Sequence, residues 1–262
     1  MTARTKEWAA CVAAIVDGID REWTEHSGSL HFWSKADETV VSDLDVRFDI
    51  SIRTVLSKHY PSVPVLSEEI GWLYASSDQG TNVVAVIDSI DGTESLRQGG
   101  VCWWSSVALV RDGRAIAGLI HQPARRVTFA SVKRAMAPPP VAASVGLSPD
   151  RIADERDSSR CRRLGAAGFA LATTPHSVEK VASVLEGRCS AAIAVPSEKS
   201  PIWRPWDLAA CIAIAACHDI VLLDADGYPL DISDVDAPHN AAWICARDER
   251  TWQTVRKAWF DG

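Results

Sequence analysis

The sequence predicts a mixed α/β fold, with helices and strands in blocks over the first half (α+β) and helix–strand alternation over the second (α/β). Three observations carry this. Trp8, Val12, Ile15, Ile19 and Trp23 recur at helical spacing near the N-terminus, and apolar, β-branched runs crowd residues 83–131. Beyond residue 165, apolar runs of strand length alternate with runs at helical spacing. The periods of 3.6 and 2 residues separate the two kinds of segment.

Taken in order, the first helix covers roughly residues 4–25, with its charged residues opposite the apolar stripe. A short charged loop leads to a second helix near residues 43–59, where Phe48, Ile52, Val55 and His59 share a face. Residues 63–66 form a short apolar run ending at Glu68-Glu69, and the polar segment 71–80, with glycine at both ends, predicts a mobile loop. Residues 83–87 are uninterrupted valine, alanine and isoleucine, as expected of a strand covered on both faces. Residues 105–110 and 115–121 flank Asp112-Gly113, a hairpin signal, and 127–131 add a strand.

Ala137-Pro138-Pro139-Pro140-Val141 can continue neither helix nor ladder, so it divides the chain into halves 1–136 and 137–262. Residues 150–163 then read as a charged surface segment. Strand 168–172, helix 178–186, strand 191–195, a long apolar helix opening at Asp207 and strand 220–223 follow.

Composition bounds the function. The net charge of −7 argues against general affinity for nucleic acid polymers or anionic membranes. No apolar run reaches membrane-spanning length, and the N-terminus lacks a signal-peptide core. The seven cysteines are odd in number and form no Cys-x-x-Cys pair, so a reduced, cytoplasmic protein is expected. The seven histidines show no metal-ligand spacing.

Chemistry concentrates where the strand of residues 83–87 gives way to Asp88-Ser89-Ile90-Asp91-Gly92-Thr93. Two carboxylates, a glycine and a hydroxyl at a strand end suit metal and phosphate; they equally suit a turn, since Asp-Gly is a common turn dipeptide. Further acids stand at useful places, Glu68 after one apolar run and Asp207 at the head of another. Magnesium takes oxygen ligands and keeps several waters, so carboxylates from separate elements are enough to hold it. Asp207 is also open to a reading as a helix N-cap, Asp43 and Asp45 to one as first-turn acids, and Lys35 to one as a solvated surface residue.

Four ordered motifs together resemble the inositol monophosphatase-like family of magnesium-dependent, lithium-sensitive phosphatases. They are Lys35-Ala36-Asp37 with Val41-Ser42-Asp43-Leu44-Asp45, Glu68-Glu69, Asp88 to Thr93, and Trp206-Asp207-Leu208-Ala209-Ala210. The resemblance spans roughly residues 5–230 and implies the layered α-β-α-β-α sandwich of the inositol monophosphatase and fructose-1,6-bisphosphatase type. It also implies a homodimer, two or three Mg2+ ions and inhibition by Li+.

On this reading Asp88 bridges two ions, Glu68 and the Ile90 carbonyl complete the first, and Asp91 with Asp207 hold the second. Glu68, Thr93 and Asp45 are catalytic, with Thr93 passing a proton to Asp45. Gly92, Thr93, Asp91 and Asp207 meet the phosphate. The expected activity is hydrolysis of a small inositol-, sugar- or polyol-phosphate-like ester. A 3′(2′),5′-bisphosphate nucleotidase, a histidinol-phosphate phosphatase and a catalytically silent regulatory protein are the alternatives.

The chain also departs from the family pattern. Ser89 stands for the usual proline, Leu96 for an aromatic residue, and Ala216-Cys217-His218-Asp219 for Glu-Ala-Gly-Gly. Leu164-Gly165-Ala166-Ala167 resembles the family's pocket segment Gly-Ser-Ala-Ala but lies too far before Trp206. Counting back from Trp206 instead reaches Thr173-Thr174-Pro175-His176, and the acid expected just before Trp-Asp has only Glu198 and Ser200 nearby. Val221 to Gly227 resembles the nucleophile strand of haloacid-dehalogenase-type phosphatases, but only 35 residues follow it, and a strand entering a hairpin that returns through 229–232 is simpler.

Overall fold

The computed structural model describes residues 3–36, 38–74, 82–132, 138–196 and 203–261. The chain forms two compact units: Met1–Val132 with Pro205–Ile214 and Ile232–Val235, and Lys133–Arg204 with Ala215–Asp231 and Asp236–Gly262. Asp207, expected in the second half, therefore belongs to the first unit. Close packing explains the correction. A Cβ on Gly118 would lie 2.9 Å from the Ala210 Cα, and the Ser106 hydroxyl donates to the Trp206 carbonyl at 3.2 Å.

The first part of the chain contains α1 (Ala3–His26), β1 (Phe32–Ser34), β2 (Val40–Ser42), α2 (Asp43–His59), β3 (Val65–Ser67), β4 (Gly71–Leu73), β5 (Val83–Asp91), α3 (Thr93–Arg97), β6 (Trp104–Arg111), β7 (Arg114–Gln122) and β8 (Val127–Ala130). Six strands form one sheet in the order β4-β3-β5-β6-β7-β8, with only β3 and β5 parallel. The helical stripes do what their spacing predicts. Ile15 and Ile19 of α1 and Phe48 and Ile52 of α2 are fully buried in one core with Ile87, Val107 and Leu119 of the sheet. Each such side chain contributes about 1.5–3 kcal/mol by leaving water. The β6–β7 hairpin turns at Asp112 (φ 48°) and Gly113 (φ 69°), both left-handed as a two-residue turn requires.

The remainder contains β9 (Ser144–Leu147), α4 (Pro149–Ala153), a 3-10 turn (Glu155–Asp157), α5 (Ser158–Ala166), β10 (Ala170–Thr173), α6 (Ser177–Leu185), β11 (Ala191–Ala194), α7 (Pro205–Cys217), β12 (Val221–Asp224), β13 (Trp243–Ala246) and α8 (Glu249–Phe260). Its sheet runs β10-β9-β11-β13-β12. Trp252, Val255 and Trp259 of α8 pack with Val145, Ile193 and Ile244 in a second core.

Two expectations are corrected and one is filled in. The charged segment 150–163 lies mostly at the surface, as expected, and is largely helical; within it Asp157 is buried and pairs with Arg151 at 3.2 Å and Arg160 at 2.5 Å. Strand β12 pairs with β13, not with residues 229–232, where Pro229 has no N–H to give a ladder. Asp224 Oδ1 instead accepts from the Asp226 and Tyr228 N–H groups at 2.9 and 2.8 Å, so the aspartate-rich loop is a turn held by its own first acid. Finally, residues 71–73 of the expected mobile loop are strand β4; residues 75–80 lie outside the described residues.

Candidate metal centre

Strand β5 does not stop at Ile87 but runs through both aspartates. Asp88 pairs with Ser106 and Asp91 with Trp104, so three steps on β5 match two on β6. This bulge has a direct consequence. Residues three apart on a regular strand face opposite sides of the sheet, and one extra residue returns the second to the side of the first. Asp91 is thereby turned to the side of Asp88, close enough for its charge to push the Asp88 pKa up.

Glu68 and Glu69 occupy the tip of the tight β3–β4 hairpin, in which Ser67 pairs with Gly71. Gly71 closes it at φ 70°, a conformation glycine adopts without strain. The Glu68 N–H donates to the Ile87 carbonyl at 3.0 Å, which pins this corner beside Asp88. Lys35 Nζ lies 2.9 Å from Glu69 and 3.8 Å from Glu68, so it is a partner of the pair rather than a lone surface cation. Burial works to lower the Lys35 pKa, but Glu68, Glu69 and Asp45 together outweigh it and leave it raised. Asp37 of the same motif lies outside the described residues.

Asp207 is delivered by the first turn of α7, which begins at Pro205. It is therefore not the N-cap, and the helix opens two residues earlier than its apolar run suggested. One carboxylate oxygen each from Glu68, Asp88 and Asp207 lies within 4.8 Å of the others.

Asp45 and Thr93 meet beside this cluster. The Thr93 hydroxyl lies 2.8 Å from Asp45 Oδ1 and 3.1 Å from the Ile90 carbonyl. Asp45 Oδ2 accepts from the Ser42 N–H at 2.8 Å and the Ser42 hydroxyl at 2.5 Å, completing a capping box that starts α2. The first-turn role and a place in the site therefore coexist. Asp43 instead accepts from the His31 N–H at 3.3 Å, away from the cluster. Gly92 precedes α3 at φ 99°, where a side chain would be strained.

The cluster is electrostatically loaded. Burial, then repulsion from Glu68, Asp91 and Asp207, raises Asp88 well above the usual carboxylate range. Burial also lifts Glu68 to about 7, against Lys35 and with Glu69 and Asp91 adding to it, and lifts Asp45 to about 6, against hydrogen bonds from Ser42 and Thr93. Asp88 Oδ1 is buried with no hydrogen-bond partner. Converging oxygens, mutual repulsion and an orphaned buried carboxylate oxygen together fit a hard divalent cation such as Mg2+.

Two residues held by the site were not singled out from the sequence, Ser42 and Ser67. Ser42-x-x-Asp45 is a capping-box pattern that could have flagged the first. Ser89 is buried, its hydroxyl without a partner and its carbonyl accepting from Ser105 at 2.7 Å. Trp203 is 2% exposed and stacks on His239 with centroids 4.1 Å apart, so it packs. Where glycines were missing after α7, Asp219 takes the left-handed conformation at φ 54°, which aspartate tolerates better than most residues. Leu164 to Ala167 close α5, Thr173 ends β10, and Glu198 and Ser200 lie outside the described residues.

Fold and site define a class: a mixed α/β protein that gathers carboxylates from a bulged strand, a hairpin tip and a helix start into a donor set suited to a divalent cation. The model of the inositol monophosphatase family matches residues 3–258, and the chain belongs to that family. Among curated proteins it is 29% identical to the histidinol-phosphatase of Mycobacterium tuberculosis, over 88% of this chain and 90% of that protein. Among solved structures it is similar to the extragenic suppressor protein SuhB of Bartonella henselae, at a TM-score of 0.74 and 19% identity over 100% of both chains. It is also similar to an IMPase/NADP phosphatase complexed with Mg2+ and phosphate, at a TM-score of 0.73 and 16% identity over 99% of this chain and 97% of that one. The layered mixed α/β fold implied by the four motifs is thus the fold of this chain.

Proposed function

We propose that this protein is a Mg2+-dependent phosphatase of a small phosphate monoester. The observation that carries the proposal is the convergence of Glu68, Asp88 and Asp207, with Asp88 Oδ1 buried and unpartnered. Those three carboxylates, Asp91 and the Ile90 carbonyl would hold the ions. Bound Mg2+ supplies charge neutralisation for the phosphoryl oxygens and makes water a stronger acid.

The chain's own groups do the rest. The Thr93 hydroxyl accepts a proton from the attacking water while passing its own to Asp45 Oδ1, 2.8 Å away. Asp45, lifted to about 6, is a base matched to neutral pH, and its other oxygen is fixed by Ser42. Glu68 orients the water, and the N–H groups of Gly92 and Thr93 take a phosphate oxygen at a position without a Cβ to block the approach.

For the alcohol half of the substrate, the inositol-, sugar- or polyol-like class is the reading the motif resemblance supports. Histidinol phosphate is the second reading, favoured by the near full-length likeness to a histidinol-phosphatase. Seven cysteines, none in a disulfide, support a reducing cytoplasmic setting. Among the described residues, no helix is long and apolar enough to cross a membrane.

The test is phosphate release from a panel containing histidinol phosphate, inositol monophosphates, sugar phosphates and nucleotide 3′-phosphates, with and without Mg2+. Magnesium-dependent release from one class is expected. No release from any, with metal still bound, would favour a catalytically silent binding protein and overturn the proposal.

A further inference from the structure

Asp49 is a buried acid of the first unit that the chemistry above leaves unused. It lies one turn after Asp45 on α2, within the apolar stripe of Phe48 and Ile52, and is 1% exposed. A carboxylate is costly to bury unless paired and hydrogen-bonded, and this one is both. Oδ2 accepts from Arg53 Nε at 2.6 Å, and Oδ1 accepts from the Ser67 hydroxyl at 2.5 Å.

Ser67 ends β3, immediately before Glu68, and its Oγ accepts from the Glu69 N–H at 3.1 Å. A hydroxyl has one proton. Given to Asp49, it leaves the oxygen lone pairs for Glu69, so the acid sets the direction in which the serine can hold the corner. The corner is then tied at Glu68 N to the Ile87 carbonyl on one side and at Glu69 N to Ser67 on the other. Arg53 provides the counter-charge on the far oxygen of Asp49, leaving the near one to the serine.

We propose that Asp49 and Ser67 are positioning residues for the metal centre: acting through the Glu69 N–H, they hold the hairpin tip so that Glu68 faces Asp88 and Glu69 faces Lys35. This rests on the reading of Glu68, Asp88 and Asp207 as a divalent-cation site. Partners that orient ligands without touching the metal change its affinity about 10–100-fold when removed.

The experiment titrates Mn2+, as a spectroscopic probe, into the full-length chain and reads free Mn2+ by electron paramagnetic resonance. The variants are Ser67→Ala, Ser67→Thr, Asp49→Asn, Asp88→Asn and, as a destabilised control in the same helix stripe, Ile52→Val. Asp88→Asn is expected to lose binding. Ser67→Ala and Asp49→Asn are expected to bind about tenfold more weakly, Ser67→Thr to recover most of that loss, and Ile52→Val to bind like wild type despite a lower melting temperature. If Asp88→Asn loses binding but Ser67→Ala and Asp49→Asn match the Ile52→Val control, the positioning role is overturned and the metal centre stands. If Asp88→Asn binds Mn2+ like wild type, the centre falls and the positioning role with it.

Discussion

Binding of Mg2+ should be coupled to proton release, and the size of the coupling follows from the site. Without metal, Glu68 titrates at about 7 and Asp88 well above the usual range, because burial and neighbouring acids oppose their charged forms. At about pH 6 roughly nine-tenths of Glu68 is protonated, and at about pH 8 roughly one-tenth. A ligand must be ionised, so the apparent Mg2+ affinity should rise about tenfold, or about 1.4 kcal/mol, between those pH values from Glu68 alone. Asp88 steepens the rise. Solvent reaches the Glu68 side chain, which is 30% exposed, so tenfold is the upper figure for its share.

The same shifts set the sign of stability. Carboxylates raised in the folded state bind more protons there than in the unfolded chain, so the metal-free protein loses stability as pH rises from about 4 through 6 and 7. Saturating Mg2+ should reverse that trend. Calorimetric titration of Mg2+ at both pH values, in two buffers of different ionisation enthalpy, reads affinity and protons together. Equal affinity with no proton released would refute the account of a repulsive carboxylate cluster.

Other outcomes are expected. Thr93→Val removes the donor to Asp45 and should lower kcat about 10²–10⁴-fold with Mg2+ affinity nearly unchanged, as steady-state kinetics against Mg2+ concentration would show. Gly118→Ala places a methyl 2.9 Å from the Ala210 Cα and should cost about 1–3 kcal/mol in urea denaturation; because α7 carries Asp207, it should also raise the Mg2+ requirement. His121 is buried with its pKa lowered by that burial against Asp20, so the unfolded chain protonates first. Its contribution is complete above about pH 6.5 and lost as pH falls through the lower folded value, opposing the gain from the raised carboxylates, so His121→Gln should steepen the metal-free protein's rise in stability as pH falls below about 6.5.

Much of the site was legible because it is local. Asp88 to Thr93, Glu68-Glu69 and Trp206-Asp207 are short runs whose residue types state their chemistry. Helices α1 and α2 were legible because Ile15, Ile19, Phe48 and Ile52 keep one period over several turns. What was hidden depends on partners distant in sequence. Nothing near Asp91 tells that a bulge against Trp104 and Ser106 turns it to the side of Asp88. Asp207 joins the first unit because Gly118 lets Ala210 approach, a fact about two residues far apart in the chain. The pairing of β12 with β13 likewise overrode a turn signal at Asp226-Gly227 that was real but led to no return strand. Asp49 carried one local trace, an acid inside an apolar stripe, which reads as a partner only once Ser67 is beside it.

The most direct test of the central claim is a crystal structure of the full chain grown with Mn2+, with anomalous scattering collected at an energy that marks manganese. A peak is expected within about 2–2.5 Å of carboxylate oxygens from Glu68, Asp88 and Asp207. A fully occupied map elsewhere with no peak among these three side chains would contradict it.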